Sequence, residues 1–372
     1  MKLTIKTATL KDMVARVAKG VGNNKLLPLT SMIGVKLENN TLTLTSSDGT
    51  NYLYIMQEKV DGDDFKITVP AELFTKLISK MTSDEITLSL DDKILEVKGN
   101  GKYTIELELD ENGELIEYPD PLEDVKLKKA EKVKHSTILE MLAKLKPSLA
   151  TTQEMPQYTG YYAGDTIIAS DTIQIAGLKT RLFKSDVLIA PEYLNLFEVV
   201  QNENIDAFLQ DDLIICKTKD CVIYGHIMED IDDYQSDALL NIIEKKFPSS
   251  CKLPKEELMQ VLDRLSLFVT KYDNNGITLT FTKDGLQISS MADSGVEVIP
   301  YIESKGFKAF TAGIDITMLL SQLKALNEEA VFVEYGDVDC LRFTEGNTSI
   351  VLAYLGEDEV ENSTEDESES EE

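Results

Sequence analysis

The stretch GVKLENNTLTLTSSDG, residues 34–49, decides how this chain is read. Polar and apolar residues alternate on both sides of the turn GluAsnAsn (38–40), as in a strand hairpin, and the run ends on a polar Ser-Asp corner. The same Gly-led hairpin and corner return as GYYAGDTIIASDT (160–172) and GITLTFTKDGLQISSMADSG (276–295). The corner aspartates Asp48, Asp171 and Asp293 stand 123 and 122 residues apart in a chain of 372. A fixed long period of this kind marks an internal repeat of three units.

Two further markers keep the same phase. Ahead of each hairpin lies a helical pattern: TLKDMVARVAKG (9–20), STILEMLAKLK (136–146) and PKEELMQVLDRLSLF (254–268). Apolar residues recur there at i, i+3, i+4 and i+7, as at Leu258, Val261, Leu262 and Leu265. After each hairpin comes a second helical pattern opening on an acid: PAELFTKLISKM (70–81), APEYLNLFEVVQN (190–202) and GIDITMLLSQLKALN (313–327). Glu72, Glu192 and Asp315 sit in those first turns, where a negative charge suits the helix dipole.

Each unit therefore reads strand, helix, several strands, helix, several strands. The strands are short and alternating, like LTLTS, KITV, ITLSL and YTIELEL of the first unit. That is an α+β chain of three similar domains. The Pro- and charge-rich stretches YPDPLEDVKLKK (118–129) and KKFPSSCKLP (245–254) read as linkers, placing the domains at 1–123, 124–248 and 249–356. Residues 357–372 hold ten acids and no base, a composition that cannot repay its ordering entropy, and read as a disordered acidic tail.

Composition excludes several classes. No apolar run approaches the ~18 residues of a membrane span, and the alternating N-terminus reads as a strand rather than a signal core, so a cytoplasmic protein is expected. Cys216, Cys221, Cys251 and Cys340 are too few for a disulfide framework. His135 and His226 are the only histidines, and neither HExxH nor CxxC occurs, so no metal and no cofactor are expected. GVGNNK (20–25) and GNGKY (99–103) lack the phosphate-loop frame, and the acids of EDIDD (229–233) read as a solvated loop. Without a coherent catalytic constellation the chain reads as a binding protein, not an enzyme.

The net charge of −29 argues against a simple basic DNA binder, but it is unevenly spread. The tail carries ten of those negative charges, whereas the six repeated helices sum to a slight positive charge. Lys11, Arg16 and Lys19 against Asp12, and Lys134, Lys144 and Lys146 against Glu140, make the most basic of them. Two helices per unit on one side of the sheets would form a weakly basic face on an acidic body, able to tolerate a polyanion there and repel it elsewhere.

The order and spacing of these segments resemble the bacterial DNA polymerase III beta subunit, or sliding clamp, family over about residues 1–355. The likeness is carried by LLPLTSMIGVKLENNTLTLTSSD (26–48), AGDTIIASDTIQIAGL (163–178), LMQVLDRLSLF (258–268) and DITMLLSQLKAL (315–326). The resemblance implies a head-to-tail homodimer of three-domain subunits, closed around double-stranded DNA and tethering a DNA polymerase for processivity in DNA replication. It implies a clamp-loader ATPase as a further partner, and no membrane. Expected DNA contacts are Asn24 and Lys25 in the first loop, Thr152 and Gln153 in a second, and the helix bases Lys11, Arg16, Lys76, Lys80, Lys144 and Lys146. The resemblance places Tyr103 and Ile105 of one subunit against Phe268 and Val269 of the other. A groove for partner peptides is expected from Tyr158, Ser170, Thr172, Ile173, Gln174 and Ile175, with Pro248, Met318, Val338 and Cys340, and the last strand's Val351, Leu352, Ala353 and Tyr354. Ile173-Gln174 replaces the His-Arg pair usual after the family's Asp-Gly corner, so a different peptide preference is expected, as in a divergent, phage-type member. The competing class is an acidic β-rich scaffold or DNA mimic that binds proteins without encircling DNA.

Overall fold

Each repeat contributes two antiparallel sets of four strands to the computed structural model, which describes residues 1–152, 154–270, 274–291, 294–336 and 338–356. Gln153, the corner Asp293 and the acidic segment 357–372 lie outside the described residues. The hairpin set of the first repeat is ordered Phe65–Pro70, Met32–Glu38, Thr41–Ser47, Tyr52–Glu58. Its counterparts are Val187–Ile189, Tyr161–Ala163, Ile167–Ser170, Gln174–Leu178, and Phe310–Asp315, Gly276–Phe281, Leu286–Ser290, Val296–Ile299. The other set runs Lys2–Lys6, Glu85–Asp91, Ile94–Lys98, Lys102–Glu106 in the first repeat. It recurs as Glu131–Lys134, Asn204–Gln210, Leu213–Lys217, Cys221–His226, and as Ser249–Pro254, Ala330–Tyr335, Cys340–Glu345, Thr348–Ala353.

Two sheets are made by joining sets from successive repeats. Tyr52–Glu58 pairs with Cys221–His226, Leu53 opposite Ile223, giving an eight-stranded sheet. Gln174–Leu178 pairs with Thr348–Ala353, Ala176 opposite Ile350, giving a nine-stranded sheet with Glu303–Lys305 at its far edge. The remaining two sets stay four-stranded, ending on the edge strands Lys102–Glu106 and Val296–Ile299. By contacts the chain divides into two compact units, residues 1–139 with 190–227, and residues 140–189 with 228 onward. The boundary falls inside the middle repeat because its two sets belong to different sheets.

Seven α-helices occur among the described residues: α1 (Thr7–Val17), α2 (Ala71–Lys80), α3 (His135–Leu145), α4 (Pro191–Asn195), α5 (Ser236–Ile243), α6 (Lys255–Leu265) and α7 (Ile316–Ala325). In the first unit α1 buries Leu10, Met13, Val14 and Val17 and packs beside α2, which buries Phe74 and Ile78. In the second, α6 buries Leu258, Val261, Leu262 and Leu265 beside Leu319, Leu320 and Leu323 of α7. Each such side chain contributes about 1.5–3 kcal/mol through burial, so these stripes hold the helices to the sheets. α1 continues as a 3-10 turn, Ala18–Gly20, where a Cβ on Gly20 would lie 2.5 Å from Ser46 Oγ. Only glycine allows the Ser46 hydroxyl to donate to Val17 O at 2.6 Å.

Three stretches differ from the sequence reading, the first being the expected linker 245–254, whose Ser249–Pro254 is a strand paired with Ala330–Tyr335. α5 was not expected: its apolar Leu239 and Ile243 follow a dense acidic run, so charge masked a helical spacing. The stretch 118–129 is not a free linker. Tyr118 is buried against Gly34, whose would-be Cβ lies 2.7 Å from the tyrosine Cβ, and Leu122 and Val125 pack on Tyr54, Ile215, Val222 and Tyr224.

Candidate functional site

The polar corner shows why the sequence turns where it does. Asp171 Oδ1 accepts from the backbone N–H groups of Ile173 (3.0 Å) and Gln174 (2.8 Å), and Oδ2 accepts from Gln174 Nε2 at 2.7 Å. Asp48 repeats the arrangement with Thr50, Asn51 and the Asn51 side-chain amide. Gly49 takes φ +107° in the first corner, and Thr172 takes φ +80° in the second. A β-branched residue there is strained, because its Cβ crowds the backbone in the left-handed region.

That corner forms one wall of a pocket of about 410 Å3 within the second unit. Ile173, half exposed, Met318, Leu352, Ala353 and Tyr354 meet there, five of the residues expected in the groove. Asn274, Asn275, Ile314, Asp315 and Leu355 complete the lining and were not anticipated. Ala353 N donates to Ile173 O (2.9 Å) and Leu355 N to Gly313 O (3.0 Å), which ties the last strand to the corner and to the neighbouring sheet. The Asp315 carboxylate caps α7, accepting from Thr317 N (2.6 Å) and Met318 N (3.1 Å), so it is committed to the helix. Apart from Asn274 and Asn275 the rest of the lining is mainly apolar, and it suits an apolar side chain better than a catalytic step.

The other groove candidates are deeper. Tyr158, Ile175, Cys340 and Val351 form one buried cluster with Leu239 and Ile243 of α5. Ser170 and Gln174 are buried in the corner, with Gln174 Nε2 donating to Pro147 O at 3.0 Å and Gln174 Oε1 accepting from Gln322 Nε2 at 2.8 Å. Pro248 is exposed and lies against Gly336, and Val338 is half-buried nearby in sequence. No motif marks α5 as a lid on these positions; only its apolar spacing does.

The basic candidates divide by environment. Asn24 and Lys25 are exposed on the first loop, with Asn24 Oδ1 accepting from Leu26 N at 2.9 Å. Lys80 and Lys146 are exposed, Lys11 is half-buried, and exposed Lys76 pairs with Glu72 on α2. Thr152 is exposed. Arg16 and Lys144, expected to face DNA, are instead buried in ion pairs. Arg16 Nη1 lies 2.7 Å from Asp220 and 3.4 Å from Asp12, while its Nε donates to Val199 O at 3.0 Å. Lys144 lies 3.1 Å from Glu345 and 3.2 Å from Glu140. Burial opposes the Lys144 charge, but the two carboxylates outweigh it and raise its pKa. Glu345 is held below the usual range: against its own burial, the N–H groups of Glu328 and Asn327 and the Lys144 ammonium favour the carboxylate. Both cations lie in the last turn of a helix and resemble surface charges by spacing alone.

Of the expected subunit contacts, Tyr103 is exposed on an edge strand and Phe268 is exposed after α6, Val269 is half-buried, and Ile105 is buried in its own sheet. Among the described residues no group of three or more His, Cys, Asp or Glu is placed to hold a metal ion, and no helix is long and apolar enough to cross a membrane.

A chain of repeated hairpin-and-helix units whose sheets join in this way has the sliding-clamp fold. The crystal structure of the Bacillus subtilis DNA polymerase sliding clamp superposes with a TM-score of 0.82 at 17% identity, covering 96% of this chain and 99% of that one. The beta subunit from the DNA polymerase of Streptococcus pyogenes gives 0.85 at 16% identity, covering 95% and 100%. In sequence, the beta sliding clamp of Halalkalibacterium halodurans is 20% identical over 348 residues, 87% of this chain and 90% of its own length. The family described as DNA polymerase III beta subunit, N-terminal domain, matches residues 1–117. The match over residues 1–117 and the shared fold make the chain similar to the DNA polymerase III beta subunit family.

Proposed function

We propose that this protein is a DNA sliding clamp: two copies close head to tail around duplex DNA and tether a polymerase, without catalysis of their own. The observation that carries the reading is the pair of sheets built across successive repeats, which leaves one matching strand edge at each end of the series. Three domains, at 1–123, 124–248 and 249–356, are the natural division of those repeats. DNA would be met by the exposed Lys25, Lys80 and Lys146, with Lys11, Asn24 and Lys76 as further candidates; Arg16 and Lys144 are held by carboxylates and serve the fold. A sparse set of phosphate contacts suits a tether that slides, since each contact must break easily. The apolar pocket beside Ile173 and Met318 is the proposed seat for partner peptides, the polymerase and the loader ATPase among them.

Retention on DNA tests this. Loaded by its ATPase, the protein should stay on circular duplex and run off linear duplex, because only a topological link is lost at a free end. Equal retention on both would support the acidic scaffold reading instead.

A further inference from the structure

The pocket beside Ile173 and the acidic segment are neighbours along the chain. Leu355, the last residue of the lining, is fixed by its N–H to Gly313 O at 3.0 Å, and exposed Gly356 follows it. Residues 357–372 come next, with ten acids and no base. Consecutive Cα atoms stand about 3.8 Å apart, so connectivity alone keeps Glu357 and Asp358 within about 8 and 12 Å of Leu355. Those distances are comparable with the Debye length of about 8 Å at physiological salt.

The pocket offers little to offset that charge. Among the described residues lining it there is no lysine or arginine, and the corner presents the uncharged Ile173 and Gln174. Two carboxylates of the pocket and its corner are satisfied by N–H groups rather than by cations. Asp315 accepts from Thr317 N and Met318 N, and Asp171 from Ile173 N, Gln174 N and the Gln174 amide. Such bonds hold a carboxylate in place and leave its negative charge standing. Asp339, whose carbonyl accepts from Tyr354 N at 3.1 Å, is exposed and lies 3.9 Å from Lys245, at the limit of an ion pair. Arg342, on the strand beside Leu352, is committed to Glu334 at 2.6 Å and to the Lys245 carbonyl at 2.9 Å.

We infer that this pocket takes peptides whose bulky apolar anchor is flanked by lysines or arginines, and that Glu357, Asp358, Glu359 and Glu361 select them. Apolar burial supplies the affinity and the acids supply the choice. They attract a basic flank at the pocket rim and repel an acidic one, so the discrimination exceeds either effect alone. The inference rests on the pocket being the seat for partner peptides and adds the chemical class of the partner.

Fluorescence titration of the full chain tests this with synthetic peptides that share a Leu-Leu anchor, flanked on both sides by Lys, Ser or Glu. At about 50 mM salt the Lys-flanked peptide should bind about tenfold tighter than the Ser-flanked one, and the Glu-flanked peptide about tenfold more weakly. The three should converge near 0.5 M salt, where screening reaches only a few ångströms. The full chain carrying Glu357→Gln, Asp358→Asn, Glu359→Gln and Glu361→Gln should lose most of that spread while keeping its affinity for the Ser-flanked peptide. Ile173→Ser, at a half-exposed position, should weaken all three alike by about fivefold. Equal affinity for the three peptides, or a spread that survives the four neutral substitutions, overturns selection by the tail and leaves the pocket standing. A Lys-flanked peptide that binds equally well with Ser-Ser in place of its anchor makes the tail a plain polyanion and overturns the joint site. Anchored peptides that bind the parent no better than the Ile173→Ser chain overturn the pocket reading itself, and the selection with it.

Discussion

At the scale of single residues, the two basic side chains that look most alike in sequence do opposite things. Lys144 is enclosed by Glu345 and Glu140, while Lys146, two residues on, is exposed. Lys144→Ala strands a buried carboxylate and should lower stability by about 3 kcal/mol in urea unfolding. Lys146→Ala should leave the urea midpoint unchanged and reduce the salt dependence of DNA binding by roughly one counterion. Because the Glu345 pKa is depressed in the folded state, its contribution is present above the ordinary glutamate range and is lost as pH falls through the folded value. Urea midpoints should therefore drop below about pH 4.5, and the Glu345→Gln chain, less stable at neutral pH, should show a shallower drop. Thr172 is a different case. At φ +80° it bears strain that glycine does not, so Thr172→Gly should raise stability by about 1 kcal/mol, measured the same way. The Asp48 and Asp171 corners were legible in the sequence, since Ser-Asp after an alternating run has a local cause. The pairing of Arg16 and Lys144 was not, because their acids lie about two hundred residues away.

Elements were legible to the extent that their signal is periodic. The strand hairpins and the stripes of α1, α2, α6 and α7 follow spacing rules that a tertiary neighbour only reinforces. α4 is shorter than its pattern, five residues followed by the 3-10 turn Leu196–Val199, and α5 had no advance sign beyond two or three apolar residues in acidic surroundings. α5 is also the element that changes the candidate site. Its Leu239 and Ile243 close over Tyr158, Ile175, Cys340 and Val351, which narrows the open pocket to the Ile173 and Met318 end. Ile243→Ala should cost about 2–4 kcal/mol of stability and open that cluster. Fluorescence titration should then show a peptide with a bulky apolar anchor binding more tightly to the variant than to the parent. Unchanged affinity would mean that α5 is packing alone.

For the molecule as a whole, the charge asymmetry has a separable part. Ending the chain at Gly356 removes ten acids and no described contact, so the thermal midpoint should stay within a degree or two while DNA affinity rises at low salt. The difference should vanish near 0.5 M salt, where charges more than a few ångströms apart are screened. The number of repeats was readable from the period, but the way sheets pass from one repeat to the next was not, since the strands that meet lie far apart in sequence. The edge strands Lys102–Glu106 and Val296–Ile299 carry one more consequence. In the proposed closed dimer these edges would pair with a second copy, so association and folding would draw on the same hydrogen bonds. The melting temperature should then climb with protein concentration by mass action, and concentrated chains whose ring closure is blocked should be prone to fibrous end-to-end aggregation.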